Sequence, residues 1–293
     1  MNSVILFPRK GITFFKITKK YDIITNDEVN DMLKCPKCGS ELIKEERNYR
    51  CCNDHCFDIA KRGYVNLVLG SSKATGDDKE MVKSRTRFLH HGYYENLQNR
   101  LIEIIQMLQP SMLVDAGCGE GYYTNAIKQS ATDIELYGFD LSKYAIDEAC
   151  KAHCGVIYGV CNVFHLPLED HNADTVLSVF APIDINENSR VLKPGGYFIK
   201  VGPGPKHLYQ LKEELYSDVY DNEIKTGYEG YELVSDEILH NSIDITDSED
   251  IWALFQMTPY YWRTPKKQAE KLKLLTSLHT ITEFHISVYR KEC

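Results

Sequence analysis

The sequence predicts an α/β protein: a doubly wound, mostly parallel sheet with a small cysteine-rich module in front of it. Three observations carry this. Five of the ten cysteines crowd between Cys35 and Cys56. From Ser111 onward, short apolar strands alternate with helical patterns, as in chained βαβ units. The first of those strands runs straight into a glycine-rich turn that opens a helix.

In order along the chain, residues 1–33 form an apolar and basic extension that carries no motif. Its start lacks the long apolar stretch and small-residue cleavage site of a signal peptide. No apolar run in the chain approaches the length of a membrane span. The expectation is a soluble, cytoplasmic protein. Residues 34–69 are a compact, turn-rich module. Residues 70–108 begin with a small polar linker, Ser71 to Gly76. Helices follow, with Phe88, Leu89, Leu97, Leu101 and Ile105 at roughly helical spacing.

Residues 109–293 hold the sheet. Leu113–Ala116 is its first strand, and a helix spans Tyr122–Gln129. Glu135–Asp140 is a strand ending in an acid. Ser142 caps a helix that runs to His153. Gly155–Val160 and the nearly continuous apolar Asp174–Phe180 are strands, the latter suited to the centre of a parallel sheet. Lys193-Pro194-Gly195-Gly196 turns the chain into the strand Tyr197–Val201. His279–Arg290 alternates apolar and polar and suits a final antiparallel strand.

Hydrophobic residues make up 43% of the chain and charged residues 26%, which excludes wholesale disorder. The net charge of −8 argues against indiscriminate nucleic-acid binding. The balance is nevertheless local, because Lys34 to Tyr94 hold 12 Lys or Arg against 8 Asp or Glu. A basic front end on an acidic body suggests that the front end meets an anion.

The turn reads Gly117-x-Gly119-x-Gly121, and Asp140 ends the next strand 19 positions later. Glycines let backbone N–H groups approach a ligand closely, and an acid so placed accepts hydrogen bonds from ribose hydroxyls. Asp115, Gly117, Gly119, Glu120, Gly121 and Asp140 are therefore candidate cofactor residues. A dinucleotide turn reads G-x-G-x-x-G. Here the third glycine comes one position early and Glu120 sits inside the loop. A carboxylate repels a pyrophosphate but attracts a sulfonium and an α-amino group, which favours S-adenosylmethionine over NAD.

Cys35-x2-Cys38 followed by Cys51 and His55 makes two ligand pairs around a short hairpin. Four such soft donors suit tetrahedral Zn2+ in a segment too small for its own core. Cys52 and Cys56 are alternative thiols for the second pair, and free buried thiols or a redox pair are the plainer alternatives.

Leu113 to Gly121, Asp140, Cys161 to Leu168 and Lys193-Pro194-Gly195-Gly196 resemble class I S-adenosylmethionine-dependent methyltransferases, which implies a Rossmann-like sheet. In that class the residue at Asn162, more often Asp, reads the adenine. The combination with Cys35 to Asn66, Phe57-Asp58-x-Ala60-Lys61-x-Gly63-Tyr64-Val65-Asn66-Leu67, Gly92-x-Tyr94, Pro203-Gly204-Pro205-Lys206-His207-Leu208 and Gln256-Met257-Thr258-Pro259-Tyr260-x-Trp262-Arg263 is narrower. It resembles bacterial 23S ribosomal RNA guanine-N1 methyltransferases of the RlmA type, over roughly Cys35 to Arg290. The resemblance implies Cys35, Cys38, Cys51 and His55 as zinc ligands. It implies Tyr94, Gly119, Glu120 and His207 at the cofactor, a hairpin of 23S ribosomal RNA as partner, and a homodimer.

Plainer readings stand beside these. Tyr94 closes a helical pair, and His207 is a solvated loop residue. Tyr122-Tyr123 and Tyr260-Tyr261-Trp262 are either core or base-stacking platforms. Lys61-Arg62 and Lys83-x-Arg85-x-Arg87 solvate a surface or, given the resemblance, contact phosphates. Asp184, just after Phe180-Ala181-Pro182, is placed to take a proton but lies outside the resemblance and is not assigned. The alternative function is methylation of a small molecule or protein, with zinc only a brace.

Overall fold

A computed structural model describes residues 32–70 and 76–293. The extension before Met32 and the linker residues 71–75 lie outside the described residues.

The cysteine-rich module folds as a three-stranded antiparallel sheet of β1 (Leu42–Lys44), β2 (Asn48–Cys51) and β3 (Cys56–Asp58). The next strand, β4 (Val65–Asn66), leaves the module and joins the main sheet. Two helices follow, α1 (Lys79–His90) and α2 (Glu95–Leu108). Asp78 caps α1 by accepting from the Glu80 and Met81 amides. Gly92, at φ +81°, turns the chain between the helices and so delivers Tyr94 to the N-cap position of α2.

The main sheet then alternates as expected: β5 (Met112–Ala116), α3 (Tyr122–Ser130), β6 (Glu135–Asp140), α4 (Lys143–Ala149), β7 (Ile157–Val160), β8 (Ala173–Val179), α5 (Ile185–Val191) and β9 (Leu192–Pro203). Ser142 does cap α4, accepting from the Ala145 amide, but the α-helix stops at Ala149 and a 3-10 turn carries on to Ala152. The Lys193–Gly196 turn falls inside the span of β9. Ala173 pairs with Leu192 and Thr175 with Tyr197, so the four residues loop out of the ladder.

Beyond β9 come α6 (Tyr209–Leu215), β10 (Tyr231–Ile245), α7 (Ser248–Gln256), α8 (Tyr260–Arg263), α9 (Lys266–Leu272) and β11 (Leu278–Lys291). The final strand is antiparallel, as its pattern predicts, and pairs with β9 on one side and β10 on the other. Sequence reading assigns no element from Tyr209 to Leu272. The long β10 escapes because it is a sheet edge whose side chains on both faces are mostly exposed, which leaves no alternation to read.

The strand order is β10-β11-β9-β8-β5-β6-β7-β4. Order reverses at β5, between β6 and β8, so the crevice for a ligand opens at the carboxyl end of β5. Alternation along β5 sends Leu113 into one core and Met112, Val114 and Ala116 into the other. The second core contains Tyr137, Phe139, Val176 and Tyr289 of the sheet together with Leu33, Leu42, Tyr49 and Phe57 of the cysteine-rich module. That module has no separate core and buries its apolar face on the sheet.

Candidate functional site

Cys35, Cys38, Cys51 and His55 bring one donor atom each to within 4.8 Å of one another. The Cys38 and Cys51 sulfurs are 3.7 Å apart, and His55 Nδ1 lies 3.4 Å from Cys35 and 3.5 Å from Cys51. A tetrahedron with metal–sulfur bonds of about 2.3 Å places its sulfurs ~3.8 Å apart, so this spacing fits Zn2+. Hydrogen bonding with Asn53 and Ser40 holds the Cys38 thiol down at about 5, which favours the thiolate a metal binds. Cys52 and Cys56 are exposed and stand outside the cluster. With four protein donors the metal is closed and structural.

The module is fastened where the ligand crevice opens. Val65 and Asn66 pair in parallel with Gly159 and Val160, and the Leu67 amide donates to the Val160 carbonyl. The Lys34 amide donates to the Pro167 carbonyl in the loop that follows β7. Both attachments lie at the carboxyl end of β7.

At the carboxyl end of β5 the glycines divide by role. A Cβ on Gly117 would lie 2.3 Å from the Ala181 Cβ, and one on Gly121 would collide with Tyr158, Ala149 and Asn125 at 2.7–2.8 Å. These two let the turn and α3 press close to neighbouring segments. Gly119 meets only the tip of Arg85, at 3.4 Å, and faces the open side.

Three carboxylates surround this turn. Asp140 accepts from the Gly119 amide at 3.1 Å and from the Ser142 amide at 2.7 Å. Asp115 accepts from the Thr124 hydroxyl at 2.6 Å through one oxygen, and its other oxygen, like Glu120 Oε2, is buried without accepting a hydrogen bond. Burial pushes Asp115 up to about 7, with the neighbouring charges of Asp140 and Glu120 adding to the effect. Burial also raises Glu120 and Asp140. Buried acids with uncommitted oxygens suit a cationic ligand, whose charge relieves their mutual repulsion.

Tyr94 and His207, 113 positions apart, meet at 3.4 Å between the phenol oxygen and Nε2, and both are buried. Burial holds His207 down at about 4 and raises Tyr94. Both are therefore neutral near neutral pH and add no positive charge. Phe180 packs on His207 with ring centroids 5.6 Å apart and remains 44% exposed. Asn162 follows β7 and accepts from the Phe164 amide at 3.1 Å, while its neighbour Cys161 donates to the Asp140 carbonyl.

The structure gives three further candidates definite surroundings. Asp184 caps α5, accepting from the Asn186 and Glu187 amides, so its carboxylate is engaged in a helix end. Arg85 and Arg87 are held in ion pairs and do not stand free on the surface. Arg87 is tied to Asp247, Glu249 and Asp250 around the start of α7, and Arg85 pairs with Asp77 and Glu120. The tyrosine-tryptophan group divides: Tyr260 and Tyr261 pack against the core, whereas Trp262 is 65% exposed. Arg85 and Asp77 are the site residues that sequence reading missed. Nothing in the spacing separates Arg85 from its basic neighbours.

The fold and its carboxylate-lined glycine turn define a class I S-adenosylmethionine-dependent methyltransferase carrying a zinc ribbon. A family model described as "RlmA, N-terminal" matches residues 33–74, and one described as "Methyltransferase domain" matches residues 114–200. The 23S rRNA (guanine(748)-N(1))-methyltransferase of Streptomyces fradiae is 32% identical over 85% of this chain and 93% of its own length. A putative 23S rRNA (guanine-N(1)-)-methyltransferase of Bacillus subtilis is 29% identical over 89% of this chain and 97% of its own. The chain belongs to this family of 23S rRNA guanine-N1 methyltransferases. A malonyl-[acyl-carrier protein] O-methyltransferase of Dechloromonas aromatica is 30% identical, but over 42% of this chain and 48% of its own.

Proposed function

We propose that the protein transfers a methyl group from S-adenosylmethionine to N1 of a guanine in a hairpin loop of 23S ribosomal RNA. The observation that carries this reading is the attachment of the zinc ribbon at the carboxyl edge of the sheet, through β4 on β7 and Lys34 on the Pro167 carbonyl. An RNA loop gripped by the ribbon is thereby held beside the methyl donor. Residues 34–69 serve as the RNA-recognition module, 70–108 as the helical link and 109–293 as the catalytic domain. Exposed Trp262 and Phe180 offer faces on which an unstacked base can rest.

S-adenosylmethionine, when bound, supplies an activated methyl on a sulfonium. The protein orients and neutralises. Asp140 takes the ribose hydroxyls and Asn162 the adenine. Gly117, Gly119 and Gly121 shape the backbone cradle, and Asp115 and Glu120 face the cationic end. Tyr94 and His207 form a neutral wall that does not compete with the sulfonium. Holding guanine N1 in line with the methyl can account for much of the acceleration, up to about 7–11 kcal/mol in well-oriented systems; the proton that neutral guanine carries at N1 passes to a base or water, and S-adenosylhomocysteine leaves. A hairpin loop is an easier target than a duplex because the base has less stacking to lose. The protein works in the cytoplasm as a homodimer, whose paired basic fronts form one cleft. Among the described residues no helix is long and apolar enough to cross a membrane.

The test is mass mapping of ribosomal RNA from cells with and without the protein, together with transfer of labelled methyl to a 23S transcript. The expected product is 1-methylguanine at one loop position. Label appearing in protein or a metabolite and not in RNA selects the alternative, a methyltransferase whose zinc is only a brace.

A further inference from the structure

Arg85 belongs to α1, outside the methyltransferase sheet, yet it reaches the glycine turn. Its guanidinium pairs with Asp77, lies 3.6 Å from Glu120 Oε2 and stands 3.4 Å from where a Gly119 Cβ would be. Its charge also acts on Asp140. The side chain retains 22% of its surface, so it is not sealed in. The approach of α1 is built in and not incidental. Ser142, next but one to Asp140, donates its hydroxyl to the Asp77 carbonyl at 2.6 Å. Gly76 lies so close to Ser142 that a Cβ there would meet its backbone nitrogen at 2.5 Å. The chain before α1 is thus clasped to the turn that holds the ribose acid.

The methionine end of the cofactor carries an ammonium, a sulfonium and a carboxylate. Asp115 and Glu120 serve the cations, but a carboxylate placed beside these acids needs a cation of its own. We infer that Arg85 is that cation: the guanidinium of the linker helix receives the cofactor's carboxylate, exchanging part of its pairing with Glu120 for a charge-assisted hydrogen bond. The fork geometry of arginine suits a carboxylate. The cofactor pocket is then closed by α1, the helix that follows the zinc ribbon, and not by the sheet alone.

The assignment rests on the methyltransferase reading and is tested by binding alone. Calorimetry compares S-adenosylmethionine with its decarboxylated analogue, which keeps sulfonium and amine and lacks the carboxylate. The native protein is expected to prefer the intact molecule by roughly tenfold or more. Arg85→Met should erase that preference while decarboxylated ligand binds within about threefold of native, and Arg85→Lys should restore part of it. Equal weakening of both ligands in Arg85→Met, or an unchanged preference, overturns the role of Arg85. A native protein that binds neither molecule overturns the methyltransferase reading itself.

Discussion

The ribbon gathers four donors within 4.8 Å of one another, whereas the glycine turn gathers two buried acids and a half-buried third, and each buried acid keeps an oxygen that accepts no hydrogen bond. A metal closes the first site completely and leaves no place for a substrate. The second is unsatisfied in the protein by itself and costs free energy until a cation arrives. Both sites bury charge, but one does so to hold a fold and the other to wait for a ligand. Acidic oxygens left without a hydrogen-bond donor, not burial as such, mark the working site.

The largest test of this contrast is removal of the metal. Structural zinc is worth roughly 10–16 kcal/mol in isolated zinc peptides. Cys35→Ser, or chelation, should release the metal and abolish amide-exchange protection over residues 33–66. Cofactor affinity should change by less than about fivefold, since the glycine turn lies elsewhere. Exchange that collapses equally through β5 and β8 would show that the two regions are not separable.

Next in size are the close-packed glycines. Gly121→Ala forces a side chain into the left-handed region and against Tyr158 and Ala149. Together these effects should cost about 2–4 kcal/mol, read as a loss in urea midpoint. Gly119→Ala should cost about 1–2 kcal/mol, from backbone strain alone, and impair cofactor binding more than stability. A Gly119→Ala protein as unstable as Gly121→Ala would break the division between packing and ligand-facing positions.

Loss of one acid should be felt in binding and hardly in the fold. Glu120→Gln should weaken S-adenosylmethionine by roughly 10–100-fold, the scale of a hydrogen bond to a charged group, with melting temperature unchanged or slightly raised. A melting temperature that falls along with affinity would place Glu120 among the structural charges.

The smallest effect is with pH. Asp115 is held up at about 7, above an ordinary carboxylate, so the free protein gains stability from it at acid pH and loses that gain as pH rises through 7. A cationic ligand prefers the ionised form. Affinity for S-adenosylmethionine should therefore rise about 3–10-fold from pH 6 to 8, more than for the uncharged-sulfur product. Asp115→Asn should flatten the difference. A pH profile identical for both ligands would remove Asp115 from the electrostatics of the site.

Much of this was legible in residue order. The strand-turn-helix around Gly117, the acid at Asp140, the cap at Ser142 and the ligand pairs of the ribbon are local patterns, and local patterns survive in one dimension. The signal failed where burial and local geometry diverged. The edge strand β10 shows no alternation because water bathes most of it. Arg85 looked like its neighbour Lys83, which is exposed, and only packing separated the two.

By itself the sequence determined the order of elements from β5 to β9, the class of cofactor and the stretch that holds the metal, since each depends on residues close together in the chain. Tertiary structure decided that Tyr94 faces His207 across 113 positions, that the ribbon shares its core with the sheet, and that Arg85 lies against the glycine turn. Those are outcomes of long-range packing, where which groups lose water and which charges meet depends on the whole fold and not on spacing along the chain.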